Sequence, residues 1–184
     1  MTEAIAVLSF EEFCDFEQRG DARHELVGGR VCVLAGGSER HDLAAGLLYE
    51  LLAPAARAAG CRPFTANRLV RTPSGAAHYP DVLVVCGSAP HRLYETEPAL
   101  VVEVSSPSPS VVDRREKPLA YAATGTLAGY VLVDPDQRRI EVATPTSSGL
   151  DWRAYGPGET VPLPWATLDV SAFYDALDAT ATTR

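Results

Sequence analysis

Residues 98–108 read PALVVEVSSPS, a run of strand-forming apolar residues with one carboxylate, Glu103, set inside it. A Val-rich run of this length suits a strand buried on both faces at the centre of a sheet. Alternation puts Glu103 on one face beside Val101 and Ser105. A carboxylate in that place is costly unless it is paired, hydrogen-bonded or bound to a metal. The plain alternatives are a strand end that reaches solvent or a structural ion pair to an arginine. Ionisable groups at sheet centres are seldom idle, so Glu103 is read as a functional candidate.

Upstream, residues 78–86 read HYPDVLVVC, and Asp81 opens a second apolar strand just after Pro80. Alone it marks a strand-entry turn. Beside Glu103 it makes a pair of carboxylates on neighbouring strands, which repel unless a divalent cation neutralises them; hard oxygen ligands suit Mg²⁺ or Mn²⁺. Downstream, residues 113–121 read DRREKPLAY, in which Asp113, Lys117 and Tyr121 recur at helical intervals. Lys117 is the only lysine in the chain, whereas arginine occurs fifteen times. A compact ammonium near a metal can hold a water nucleophile and steady the charge on a phosphoryl group in transfer, a task that a planar guanidinium fits less well. Pro118 lacks an N–H, so the helix must begin near residues 114–117 or be kinked there.

Around this centre the pattern is mixed. Residues 10–18 read as a short helix entered at Ser9, and HELVGGRVCVLAG as a hairpin with strands near 24–27 and 30–35. Ser38 caps an alanine- and leucine-rich helix over 39–59, which Pro54 bends or shortens. Strands are expected near 61–72, 81–86 and 99–105, then a hairpin of GYVLVD and RRIEVAT across Asp134-Pro135-Asp136. From Asp151 a Pro/Gly-rich tail runs to a last helix near 170–178. The expected fold class is a mixed α/β (α+β) sheet flanked by helices, with an N-terminal β-hairpin. It forms a single domain over 1–184, in which 1–20 carry the N-terminal helix and 150–184 a C-terminal extension.

The length of 184 residues suits one core, and no apolar run approaches the ~20 residues of a membrane helix. Without a basic, apolar leader at the N-terminus, the reading is cytoplasmic. Cys14, Cys32, Cys61 and Cys86 are scattered without metal-site spacing and read as reduced, mostly buried thiols. The formal charge of -8 argues against a broad nucleic-acid-coating surface. Contact with DNA would be local, through a metal and arginines, with Arg68, Arg71, Arg114 and Arg115 as candidates. A homodimer would let a second subunit supply half of that surface.

The run from YPDVLVV through PALVVEVSSPS to DRREKPLAYAATGTLAGYVLVDPDQR resembles the Uma-two family of endonucleases, within the restriction-endonuclease-like PD-(D/E)XK superfamily. HELVGGRVCVLAG and SERHDLAAGLLYEL are similar to that family's N-terminal pattern, so the resemblance extends from Phe10 to Tyr155. It implies a restriction-endonuclease-like core, a Mg²⁺ or Mn²⁺ site and hydrolysis of DNA phosphodiesters by metal-activated water. Asp81 matches the family's PD aspartate, Glu103 its strand glutamate and Lys117 its lysine; Asp81 and Glu103 would be the metal ligands. In the wider superfamily the lysine stands two residues after the second acid, where this chain has Ser105; Lys117 fits a lysine moved to the following helix. The resemblance also suggests that Glu25 is an acid near the metal, against the alternative of an exposed strand charge. His41, in the first turn of the long helix, is a secondary candidate, as is Asp113; His24, His78 and His91 rank lower, and Tyr121 reads as a packing residue with a satisfied hydroxyl. Two other function classes stay open: a non-catalytic DNA-binding or interaction module on the same fold, and a hydrolase of small phosphoesters.

Overall fold

The computed structural model describes residues 7–34, 36–87, 91–105 and 112–181, with the side chains of residues 112, 113 and 181 excepted. In chain order the elements are α1 (Phe10–Glu17), β1 (His24–Val27), β2 (Arg30–Val33), α2 (Glu39–Ala58), β3 (Arg62–Thr65), β4 (Leu69–Arg71), β5 (Ala77–His78), β6 (Val82–Val85), β7 (Tyr94–Glu95) and β8 (Pro98–Val104). A π turn (Val112–Glu116) then leads into α3 (Lys117–Ala122), followed by β9 (Gly129–Asp134), β10 (Arg139–Thr146), β11 (Gly149–Tyr155), β12 (Thr160–Pro162), β13 (Thr167–Asp169) and α4 (Val170–Ala181).

The larger sheet has the order β11-β10-β9-β8-β6-β3, and all its neighbours are antiparallel except β8 and β9. That parallel pair follows from the connection: the chain leaves β8, crosses through α3 and returns alongside. Alternation then sorts the side chains onto two faces. Val82, Val84, Leu100, Val102, Val131 and Val133 meet Ala44, Leu48, Leu52 and Ala56 of α2 and Phe173, Tyr174 and Leu177 of α4. On the other face Leu83, Val85, Val101, Tyr130 and Leu132 meet Tyr121 of α3. Glu103 has the parity of Val101 and belongs to this second face.

A smaller sheet of order β2-β1-β5-β4-β7 is covered by α1, whose Phe10 and Phe13 pack on Leu26, Leu69, Ala77 and Tyr79. Ser9 and Glu12 form a reciprocal cap at the start of α1, and Ser38 caps α2 through the His41 N–H. The β1/β2 turn needs left-handed backbone at both of its central positions, with φ of 55° at Gly28 and 77° at Gly29. The chain passes from the small sheet to the large one across residues 79–81, between β5 and β6. The two sheets therefore meet at Asp81.

Several expectations change. The stretch 61–72 is not one strand: β3 is an edge of the large sheet and β4 lies in the small one. The short strands β5 and β7 carry too few residues for alternation to be seen. The tail after Asp151 is built into the fold, with β11 on β10 and with Tyr155, Val161, Leu168, Phe173 and Leu177 in the main core. Helix α2 continues through Pro54 to Ala58. At Pro118, no N–H is available for the carbonyl four residues back, and the chain winds as a wide π turn before α geometry starts at Lys117.

The cysteines also require correction. Cys61 and Cys86 form a disulfide, with Cα atoms 4.2 Å apart, while Cys14 and Cys32 are free. The cause is register: Arg62 faces Val85 across β3 and β6, so one step outward Cys61 faces Cys86. A separation of 25 residues hides that neighbourhood from the sequence. Denatured, unreduced protein is expected to titrate two thiols and reduced protein four. Reduction is expected to lower the melting temperature, since closing a loop of this size is worth about 3.5 kcal/mol on the chain-entropy scale. Four titratable thiols without reductant would contradict the bridge.

Candidate active site at the junction of the two sheets

Val82 faces Val102 in the β6/β8 ladder, and one step further the same register sets Asp81 opposite Glu103. The Asp81 Oδ2 atom accepts a 2.7 Å hydrogen bond from the Val104 N–H. It also lies 3.3 Å from His41 Nε2, at the start of α2. His41 Nδ1 is 3.1 Å from Asp42 Oδ1. The Asp81 carboxylate, with help from Asp42, outweighs partial burial and lifts the His41 pKa to about 9, so its ring is an imidazolium at neutral pH.

Glu103 and Lys117 are each only 6% exposed. The Lys117 Nζ atom stands 3.2 Å from Glu103 Oε1 and 3.1 Å from Glu25 Oε1. One ammonium thus bridges an acid of the large sheet and an acid of the small one. Glu25 Oε1 also accepts from the Tyr79 N–H at 3.2 Å, and Glu25 Oε2 lies 3.4 Å from His78 Nδ1. Burial pushes the Glu25 carboxyl up, but the His78 ring and the Lys117 charge together hold it below its ordinary value. His78 is 2% exposed and packs edge-on against Tyr121, with ring centroids 5.6 Å apart. Among the described residues, His78 Nδ1 and the Tyr121 hydroxyl have no well-formed hydrogen bond. Burial, then the Glu103 and Glu25 charges, push the Tyr121 phenol well above its ordinary value and keep it protonated.

Asp81, Glu103 and Lys117 therefore come together, Glu25 joins them directly, and His41 joins them through Asp81. The Asp113 side chain lies outside the described residues. His78 is the residue that sequence reasoning ranked too low: β5 has two residues, too short for a pattern to mark its buried face. Tyr121 packs as expected, but its hydroxyl was expected to be satisfied.

The four candidate arginines are dispersed. Arg68 is held inside the protein by Glu95 Oε1, at 2.9 and 2.7 Å, and by the carbonyls of His91, Arg92 and Tyr94. Arg71 lies over the Phe10 ring and 3.3 Å from Glu11, Arg114 pairs with Glu141, and Arg115 is exposed.

Among the described residues, no group of three or more His, Cys, Asp and Glu side chains is arranged to hold a metal ion. The donor chemistry of Asp81 and Glu103, carboxylate oxygens on facing strand positions, is nonetheless of the kind a hard divalent cation takes.

The Uma2 family, described as "Putative restriction endonuclease", matches residues 10–172, and the chain belongs to that family. It is 31% identical over 150 residues to the uncharacterized protein slr1290 of Synechocystis sp., covering 79% of this chain and 77% of that one. A second Synechocystis protein, the uncharacterized sll1609, is 26% identical over 140 residues, covering 73% of this chain and 79% of its own. Among solved structures, one described as "a putative nuclease belonging to DUF820" from Anabaena variabilis superposes with a TM-score of 0.78 at 17% identity, covering 92% of this chain and 99% of that one. No helix among the described residues is long and apolar enough to cross a membrane.

The Lys117 geometry has an energetic consequence. A solvated helix lysine would contribute well under ~1 kcal/mol. Removing this one takes away the ammonium that two buried carboxylates share, and Lys117→Ala is expected to destabilise the fold by ~3–5 kcal/mol, read by denaturant melts. Adding Glu25→Gln is expected to restore part of that loss. A Lys117→Ala protein as stable as the wild type would show the bridge to be energetically empty.

His41 supplies a test by pH. Its folded pKa is raised from 6.5 to about 9, so its stabilisation is complete below pH ~6.5 and is lost as pH climbs through ~9. In chelator, His41→Gln is expected to flatten that limb of the stability profile. An unchanged alkaline limb would mean that the His41–Asp81 contact is not formed in solution.

Proposed function

We propose that the protein is a divalent-metal-dependent endonuclease that hydrolyses DNA phosphodiester bonds at the centre formed by Asp81, Glu103 and Lys117. The observation that carries this reading is the Lys117 ammonium buried between Glu103 and Glu25, with Asp81 opposite Glu103 across the strands. Family membership supports the nuclease class. Asp81 and Glu103 would hold Mg²⁺ or Mn²⁺. When bound there, such an ion acidifies water and draws charge from phosphoryl oxygens.

The chain's own groups do the rest. The Lys117 ammonium, placed by Glu103 and Glu25, is a compact cation that can steady a nucleophilic water or a phosphoryl oxygen as negative charge builds on it. Glu25, fixed by the Tyr79 N–H, holds the ammonium in place. The Val104 N–H and the His41 imidazolium fix Asp81 and prevent it from turning away from Glu103. A hydrolase of small phosphoesters is a second reading, favoured by the formal charge of -8, which repels a polyanion at long range.

Titration calorimetry with Mn²⁺ is expected to detect a site lost in Asp81→Ala and in Glu103→Ala. Plasmid cleavage in Mg²⁺ or Mn²⁺ is expected to fall ~10²–10³-fold in Lys117→Arg, because the planar fork cannot place its charge where the ammonium was. Melts run alongside would separate a chemical defect from unfolding. Wild-type cleavage by Lys117→Arg, or equal metal affinity in both acid variants, would overturn the assignment, and nucleotide hydrolysis outpacing plasmid cleavage would select the second reading.

A further inference from the structure

A second recess lies on the far side of Tyr79 from the buried acids. It is a pocket of about 240 Å³ between the end of α1, the start of β1, β4 and the loop before β7, and its lining includes Arg23, Arg68, Arg92, Asn67, Tyr79 and Glu17. Three arginines around one small pocket is an unusual concentration in a chain whose formal charge is -8.

Two buried acids at the pocket, Glu17 and Glu95, are already engaged. Glu17 is 5% exposed, accepts from the His24 N–H at 3.1 Å, and lies 2.9 Å from His24 Nδ1 and 3.8 Å from Arg23. Glu95, behind the pocket and 3% exposed, takes both Arg62, at 3.0 and 3.1 Å, and Arg68. Within the lining itself, three arginines, at positions 23, 68 and 92, stand beside one carboxylate, Glu17. Arg68 also anchors the carbonyls of His91 and Arg92, which makes the rim a fixed wall. Arg92 is exposed and makes no ion pair among the described residues, and Arg23 is exposed over the Tyr79 ring, 5.4 Å from its centroid. Asn67 adds neutral hydrogen-bonding groups.

We propose that this pocket seats one backbone phosphate of a nucleic-acid strand, with Arg92 and Arg23 supplying the charge, Asn67 a neutral donor and Arg68 the rigid floor. The volume suits a single phosphate with its sugar edge rather than a whole drug-sized ligand. Guanidinium groups are suited to phosphate oxygens by their planar, forked donors. Tyr79 links the pocket to the candidate active site: its side chain lines the pocket and its N–H donates to Glu25. The identity of the strand rests on the nuclease reading; the anion pocket does not.

The test is binding without turnover. Fluorescence anisotropy of a labelled DNA duplex, in chelator and over a range of KCl concentrations, would compare the wild type with the Arg23→Ala/Arg92→Ala double variant. Both side chains are exposed, so the melt is expected to stay near wild type. The expected result is roughly tenfold weaker binding at low salt, with a salt slope shallower by about 0.9, the value for one lost phosphate contact. Equal affinity and slope in the double variant would overturn the subsite. Inorganic phosphate displacing the duplex at micromolar concentration would also overturn it, in favour of a small-anion pocket. A wild type that binds no duplex at the lowest salt would sink this proposal and the DNA reading together. Binding with the expected variant effect but no plasmid cleavage would sink the nuclease reading alone.

Discussion

The Lys117 ammonium between Glu25 and Glu103 is the interaction on which the arrangement of the whole molecule depends. Each carboxylate alone would resist burial, and both together repel. One cation shared between them makes their burial tolerable and ties three separate parts of the chain into one place: β1 of the small sheet, β8 of the large sheet and the first turn of α3. Asp81 beside His41 adds a further pair of opposite charges next to this bridge.

The backbone is shaped to deliver those groups. The β6/β8 register sets Asp81 opposite Glu103, and the Val104 N–H then holds the aspartate at the strand end. The parallel return from β8 to β9 forces a crossover over one face of the large sheet, and α3 is that crossover. Pro118 delays its α geometry, so Lys117 enters at the first turn while Tyr121, one turn later, packs into the second core face. At the other end of β6 the same strand is bound by the Cys61–Cys86 bridge. β6 is thus fixed at both ends.

Charge is distributed unevenly over the molecule. Arg40 and Arg138 hold Asp178 of α4 against the β9/β10 hairpin, and Arg62 and Arg68 neutralise the buried Glu95. Most paired arginines thus serve the fold, and the chain's acidity is spread over its remaining surface. The pocket beside Tyr79 departs from this pattern, because its acids are engaged while Arg92 and Arg23 face solvent. A net-acidic protein can meet a phosphate at such a point without a basic surface elsewhere.

Local patterns alone were enough to place α1, the Gly28-Gly29 hairpin, α2, the two Val-rich strands β6 and β8, and the β9/β10 hairpin. In each, apolar period, capping residues and turn residues agree within a short window. The same patterns singled out Glu103, because a carboxylate breaks a buried run, and Lys117, because the composition makes a lysine conspicuous. What only the tertiary structure decided were relations between distant residues. That 61–72 divides between two sheets, that β11 joins the large one, that Cys61 meets Cys86 and that His78 reaches Glu25 are facts of strand order and register. None of them leaves a trace in the periodicity of its own segment. Glu25 illustrates the boundary: as a strand residue it could equally have faced solvent, and it is a buried acid because the small sheet folds against α3. A sequence records the preferences of each segment for helix, strand or turn, whereas the pairing of charges across the interior is settled only when those segments pack and water is excluded from between them.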